Sequence, residues 1–380
     1  MTPSTTPWDL SLRERLALLK SHTHRVAYFA PKPDAASFRY RCYNMSQALN
    51  NGSKKVSASY FYLSDLQHIE NLADYADSLV IFRTPYDTDV DRVMTRFRRA
   101  GKKVFFDIDD LVFDVRFAPL VTSNLNYKLF GKDIDQWFAF ISNIGACLSL
   151  CDHVITTNSY IAQRVSEFVD LPVSVVPNFL NEEQLAVSGP LWESKTHTQE
   201  PGLSLGYFSG SHSHAKDFAV AEQGIIDFLR TSPASTLTLL GHLDITEELA
   251  SLRSQIITKP FMSSLELQAA IAGVQVNLSP LQSSPFTFSK SELKFFEAAV
   301  VGTITAASPT PVFTDAIDHG VSGYLSGAHQ WGEHLHTIAA LTSAQRDSIR
   351  REARTSALQN YTGEALATTI EALFFDAKET

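Results

Sequence analysis

Cysteine is scarce in this chain: Cys42, Cys147 and Cys151 are the only three among 380 residues. Three thiols make no disulfide framework, and such usage fits a reducing compartment. Cys147 and Cys151 lie four apart, so they share a face if helical, and they read as small buried apolar residues rather than a metal or redox pair. Cations are the minority charge, with 32 Lys and Arg against 41 Asp and Glu and a formal net charge of -9. That balance argues against a dominant nucleic-acid footprint. Nowhere does the chain have the apolar run of about 20 residues that crosses a bilayer. The uncharged segment from Trp137 to Cys151 is too short and reads as a buried helix, compatible with at most a peripheral contact at a membrane surface. Met1 to Leu10 is polar and lacks the charged-then-apolar order of a signal peptide. The expectation is a cytoplasmic protein, whether free or at the inner membrane surface.

What remains is ordinary for a protein with a full core: 44% apolar and 19% charged residues. The length implies two or more domains. Short β-rich runs alternate with amphipathic stretches. Strands are predicted at Arg25–Ala30, Ala58–Leu63, Ser78–Arg83, Lys103–Ile108, His153–Thr157 and Val173–Pro177. Helices are predicted between them, including Asp87–Ala100, closed by Gly101, and Ser159–Val169, with Ser159 as N-cap. Ser188–Gly202 is polar and rich in turn formers and reads as an interdomain linker. A second set follows, with strands at Leu203–Phe208, Thr236–Leu240, Ile256–Thr258, Val274–Leu278 and Thr303–Ala306. Helices are predicted there at Ala215–Thr231, Ser264–Ala272, Ser289–Val301 and Pro311–Asp318, and Ala328–Lys378 reads as three more. The expected division is a domain over 1–190, a linker over 191–202, a domain over 203–350 and terminal helices over 351–380, folding back on the first domain. Strand–helix alternation predicts α/β architecture with two doubly wound parallel sheets, whose ligands bind outside the strands' carboxyl ends. A cleft between the halves is the default site.

Three segments suggest chemistry. In Phe286–Ser308 (FTFSKSELKFFEAAVVGTITAAS), Lys290, Lys294 and Glu297 share one face of the predicted helix. Its start, near Ser289 or Ser291, offers free N–H groups to a phosphate, Lys294 adds a cation and Glu297 suits ribose hydroxyls. The bland alternative is a surface helix with salt-bridging charges. In Gly206–Phe218 (GYFSGSHSHAKDF), Gly210 and Ser211 lie between a strand and a helix, where the backbone can approach an anion. His212 and His214 have no third ligand in view, so no metal is assigned. In Val104–Asp114 (VFFDIDDLVFD), a strand delivers Asp107, Asp109 and Asp110 at its end. Such a cluster is costly unless paired, hydrated or cation-bound. It reads as a metal-binding Asp-x-Asp, as the nucleophile and acid of a haloacid-dehalogenase-like phosphatase, or as an acceptor-facing group. The bland reading is a helix-capping Asp paired with an Arg. Arg39, Arg41 and Arg83 follow strand ends and are candidates for an anionic ligand or for structural ion pairs.

The run from Lys294 and Glu297 through Gly302 to Thr303–Ser308 resembles the donor-site helix and strand of retaining GT-B glycosyltransferases, the large family of sucrose and glycogen synthase-like enzymes and bacterial polysaccharide transferases. Lys259–Leu281 resembles that family's nucleobase-enclosing turn, helix and strand and brings in Phe261. Asp318–Leu325 resembles a family turn, and Pro177-Asn178 the end of the last strand before the linker. Two departures stand out. Ser289 occupies the place of the first of two glutamates, and Gly210 is followed by Ser211 instead of arginine, with Lys216 at the lysine position. The resemblance implies a GT-B fold and transfer of a sugar, with retention, from a nucleotide-diphosphate donor to a glycan or lipid-linked acceptor, with no cofactor and no metal. It implies catalytic roles for Lys216, Lys294 and Asp110. The donor would be held by Gly210, Ser211, Phe261, Ser289, Lys290, Ser291 and Glu297, and the acceptor by Arg39, Arg41, Arg83, Asp107 and Asp109. A phosphatase using Asp107 and Asp109, and a non-catalytic glycan-binding homologue, are the alternatives.

Overall fold

The computed structural model describes residues 6–33, 36–69, 71–124, 129–195, 202–209, 215–241, 243 and 245–375. These form two compact units. The first comprises the chain to Thr122, Leu129–Asn181 and the tail from Tyr361. The second comprises Glu182–Asn360 with Ser123 and Asn124.

The first unit follows from its apolar runs. Strands β1 (His24–Ala30), β2 (Val56–Tyr62), β3 (Ser78–Phe82), β4 (Val104–Ile108), β5 (His153–Thr156) and β6 (Val173–Val175) form one parallel sheet in the order β2-β1-β3-β4-β5-β6. All of β2, β3 and β4 is buried, as expected where helices cover both faces of a parallel sheet. The helix Thr88–Arg99 shows the local logic. Asp87 caps it by accepting from the N–H groups of Asp89 and Val90. Val90, Val93, Met94 and Phe97 fall at helical spacing and are its buried residues, and Gly101 follows its end at φ 69°. The N-cap of the Ser159–Phe168 helix is Asn158, not Ser159; its side chain accepts from the Ile161 N–H at 2.9 Å. The tail helix Gly363–Ala372 lies on the helix Met45–Gly52, so closely that a Cβ on Gly52 would collide with that of Ala367. Ile370 and Phe374 thereby join the core around Val26 and Tyr28.

In the second unit, β7 (Ser204–Phe208), β8 (Thr236–Leu240), β9 (Ile256–Lys259), β10 (Val276–Ser279), β11 (Ile304–Ala307) and β12 (Tyr324–Leu325) form a parallel sheet in the order β12-β11-β10-β7-β8-β9. This is the doubly wound order, and its direction reverses between β7 and β10. Two tail helices, Trp331–Ala340 and Ser343–Asn360, belong here.

The stretch read as linker differs from expectation. Residues 182–194 form one helix that runs through Gly189 and Pro190. Gln184 and Ser188 are buried along it, Pro190 is exposed, and the helix packs on Ser264–Ala272. Tertiary packing thus overrides the local turn-forming composition. Residues 196–201 lie outside the described residues.

Candidate functional site

A doubly wound sheet offers its ligand crevice at the carboxyl ends of the strands beside the order reversal, here β7 and β10. The structure gathers polar groups there. Lys294 places Nζ 4.7 Å from the centroid of the Tyr207 ring, near the end of β7. Its main-chain carbonyl accepts from Asn277 Nδ2 in β10 at 2.9 Å. Burial pulls the Lys294 ammonium down to about 8, with Asp217 and then Glu297 acting in the opposite direction. Burial also pushes the Tyr207 phenol up, and Asp217 adds to this, so Tyr207 is neutral beside the cation. Asp217 is 4% exposed, and its Oδ1 accepts from both the main-chain N–H and Nε2 of Gln282, each at 3.2 Å. One carboxylate therefore ties the helix after β7 to the loop after β10. Sequence reasoning passed over Asp217; the available signal was an acidic residue in the first turn of the Ala215–Thr231 helix.

The expected Ser289–Val301 helix begins later, at Leu293, and a separate turn precedes it. A first turn, Pro285–Phe288, is set by a capping box between Ser284 and Thr287 and by Pro285 at its start. The Ser289 hydroxyl donates to the Phe286 carbonyl at 2.6 Å and is buried, so its oxygen is used within that turn. The second helix starts only at Leu293, after Glu292. Lys290 and Ser291 consequently precede this helix and do not share its face with Lys294. Lys290 Nζ sits 3.9 Å from the centroid of the Phe286 ring, and Ser291 Oγ accepts from the Leu293 N–H at 3.2 Å. Glu297 remains one turn beyond Lys294 but is 4% exposed, with Oε1 accepting from Gln184 at 3.1 Å. Phe261, between β9 and the Ser264–Ala272 helix, is 60% exposed. Lys216 is exposed and its ammonium donates to the Ser123 carbonyl. Gly210, Ser211, His212 and His214 lie outside the described residues.

In the first unit the acceptor-side expectation needs correction. Arg41 Nε and Nη2 donate to the two carboxylate oxygens of Asp107 at 2.8 and 2.9 Å, and Nη1 donates to the Val176 carbonyl at 2.7 Å. Both side chains are 0% exposed. Burial pushes the Asp107 carboxyl up to about 6 despite the opposing pull of Arg41, which leaves it ionised at neutral pH. Arg41 and Asp107 are thus a buried structural pair joining the turn after β1 to β4 and the end of β6. Neither has surface to offer an acceptor. An Asp107 without exposure also has no path to act as the nucleophile of a phosphatase. Arg39 is packed inward too, its guanidinium 4.2 Å from the Tyr40 ring centroid and Nη2 donating to the Tyr40 hydroxyl.

Arg83, Asp109 and Asp110 do come together at the carboxyl edge. Arg83 Nη1 donates to Asp109 Oδ1 at 3.2 Å, and Nη2 lies 4.0 Å from Asp110 Oδ2. Asp110 Oδ1 also accepts from the Leu111 N–H at 2.9 Å. Arg83 takes φ 39°, a left-handed conformation that is uncommon for a non-glycine residue. Such strain concentrates at functional positions. Its side chain keeps about a quarter of its surface.

No protein-family model and no curated protein sequence matches the chain. Solved structures do. HepE of Anabaena in complex with UDP-glucose shares 14% identity at a TM-score of 0.59, covering 92% of this chain and 99% of that one. Sucrose-phosphate synthase from Thermosynechococcus elongatus shares 13% identity at 0.59, covering 93% and 98%. A glycosyltransferase from Rickettsia africae shares 10% identity at 0.61, again covering 93% and 98%. The chain has the GT-B fold of these proteins, built from two Rossmann-like α/β units.

Proposed function

We propose that this protein is a glycosyltransferase that uses a nucleotide-diphosphate sugar, with the diphosphate bound at the carboxyl edge of the second sheet between β7 and β10. The observation that carries the reading is Lys294, a partly desolvated cation beside Tyr207 and Asp217 at the order reversal. In this reading the Lys294 ammonium meets the leaving diphosphate, where negative charge develops as the glycosidic bond breaks. A preorganised cation in a desolvated site stabilises that charge strongly. Asp217 and Glu297 favour the protonated lysine, and Asp217 also fixes the Gln282 loop. Glu297 is proposed to meet the ribose hydroxyls from its nearly buried position, Phe261 to lie against the base, and Lys216 to add a second cation. Arg83, Asp109 and Asp110 are proposed as the acceptor-side group.

The finer terms are proposals as well: retention of configuration, a hexosyl-type donor, a glycan or lipid-linked acceptor in surface-glycan synthesis, and action without a metal. HepE was solved in complex with UDP-glucose, which puts UDP first among donor nucleotides to try. The described residues contain no helix long and apolar enough to cross a membrane. A lipid-linked acceptor would therefore be reached by peripheral contact.

The test is a thermal-shift panel of UDP, GDP, ADP, dTDP and CMP, each with and without EDTA. A ligand at 100 times its dissociation constant stabilises by about 2.7 kcal/mol. One nucleoside diphosphate is expected to raise the midpoint equally in both conditions. A response abolished by EDTA contradicts metal independence, and no response to any nucleotide contradicts the donor-site reading.

A further inference from the structure

A cavity of the second unit lies at the amino ends of its strands, at the edge opposite Lys294. Its lining includes Leu203 before β7, Gln275 before β10 and Gly302 before β11, together with Lys195, Arg346 and Arg350. It is not part of the proposed donor site, because Lys294 and Asp217 stand at the carboxyl edge.

The charges in it are unbalanced. Lys195 Nζ donates to the Val274 carbonyl at 2.9 Å and to Thr303 Oγ1 at 2.6 Å, both uncharged acceptors. Burial, with the nearby Arg350 acting in the same direction, holds this lysine well below its ordinary range. Arg350 pairs with Asp347 at 3.1 Å, and Asp347 is the one carboxylate in the lining among the described residues. Arg346 Nη2 donates to the Ala339 carbonyl at 2.8 Å, while its Nε is buried without a partner among the described residues. Arg346, Arg350 and Arg354 recur every fourth residue, so the Ser343–Asn360 helix turns a basic stripe inward. The last two hold the Trp192 ring at 5.7 and 4.5 Å. Among the described residues, two guanidinium groups and the buried Lys195 amine face one carboxylate there. The cavity has a volume of about 50 Å³. One water needs about 10–15 Å³ on that measure, so the space takes several water-sized groups, enough for a tetrahedral oxyanion.

We propose that this cavity is an oxyanion site, taking inorganic phosphate or sulfate between Lys195, Arg346 and Arg350. Guanidinium groups bind such oxygens with directed, charge-assisted hydrogen bonds. An anion here would tie the end of the Glu182–Ser194 helix, the central strands and the Ser343–Asn360 helix together.

The experiment compares unfolding midpoints of the full chain in sodium phosphate, sodium sulfate and sodium chloride at matched ionic strength. Phosphate or sulfate is expected to raise the midpoint by about 2–4 °C over chloride. Arg346→Gln and Lys195→Met are each measured against their own chloride baseline and are expected to lose that rise. Lys294→Ala is expected to keep it, and saturating nucleoside diphosphate to leave it intact. An equal rise in Arg346→Gln and Lys195→Met, or no rise in the unaltered protein, overturns the proposal. A rise that the nucleotide abolishes, or that Lys294→Ala loses, assigns the anion to the donor site and also overturns it. A phosphate response kept in a protein that binds no nucleotide would support this site while removing the donor-site reading, so the two fail separately.

Discussion

Replacing Lys294 by alanine is expected to lower kcat/KM for transfer from the nucleotide-sugar by about 10²–10³, the loss typical when one preorganised stabilising group is removed from developing negative charge. Most of that loss should appear in kcat, because the charge on the diphosphate is greatest as the glycosidic bond breaks. The pH profile gives an independent check. The ammonium of the empty protein titrates at about 8, the burial of Lys294 outweighing Asp217 and Glu297. The cation is present below that value and lost above it. Donor affinity is therefore expected to be flat below about pH 7 and to fall above pH 8, approaching a factor of about ten per unit. Lys294→Arg should flatten the alkaline limb, since a guanidinium stays charged through that window. The sign for stability is opposite. A lysine whose folded value lies below its unfolded one disfavours the folded state at low pH, so its contribution improves as pH rises from about 8 toward about 10.4. Donor affinity and apo stability are thus expected to move in opposite directions over the same interval.

Arg41→Ala is expected to destabilise the protein by about 3–5 kcal/mol, read as the urea midpoint at constant slope. It leaves the Asp107 carboxylate buried with no cation, together with the Val176 carbonyl that Arg41 serves. Removing both charges is a different case. Arg41→Met with Asp107→Leu is expected to recover most of the loss, because a buried pair is often replaceable by apolar groups of similar volume. The folded fraction of that double variant should keep its transfer rate. If instead the acceptor's KM rises in a variant of unchanged stability, Arg41 acts on the ligand, and its assignment as a structural residue is wrong.

The fold was largely legible because each strand is a short apolar run bounded by turn residues. Among the described residues, eleven of the twelve strands lie within a few residues of their expected positions; the other, Tyr324–Leu325, is too short to carry a pattern. The tail resolves into its three expected helices, the last of them on the first unit. The helix through Gly189 and Pro190 was not legible, since a packing surface rather than local propensity holds it. The segment around Lys294 is helical as expected, but the helix begins later than expected. Ser284, Pro285 and Ser289 close a separate turn, which sets Lys290 apart from Lys294. The aspartate cluster shows a further limit. Three acidic residues at one strand end look alike in sequence, yet Asp107 lies within β4, where every residue is buried, and pairs there with Arg41. Asp109 and Asp110, just past the strand, keep a little exposure and meet Arg83 instead. Asp217 escaped notice because its partners, Gln282 and Lys294, are more than 60 residues away.

The most direct measurement is a calorimetric titration of the unaltered protein and of Lys294→Ala with the nucleoside diphosphate that the thermal panel selects, in EDTA at pH 7. Saturable one-site binding is expected, weakening at least about tenfold in the variant, equivalent to about 1.4 kcal/mol. Equal dissociation constants in the two proteins would show that the diphosphate binds away from Lys294 and would contradict the account.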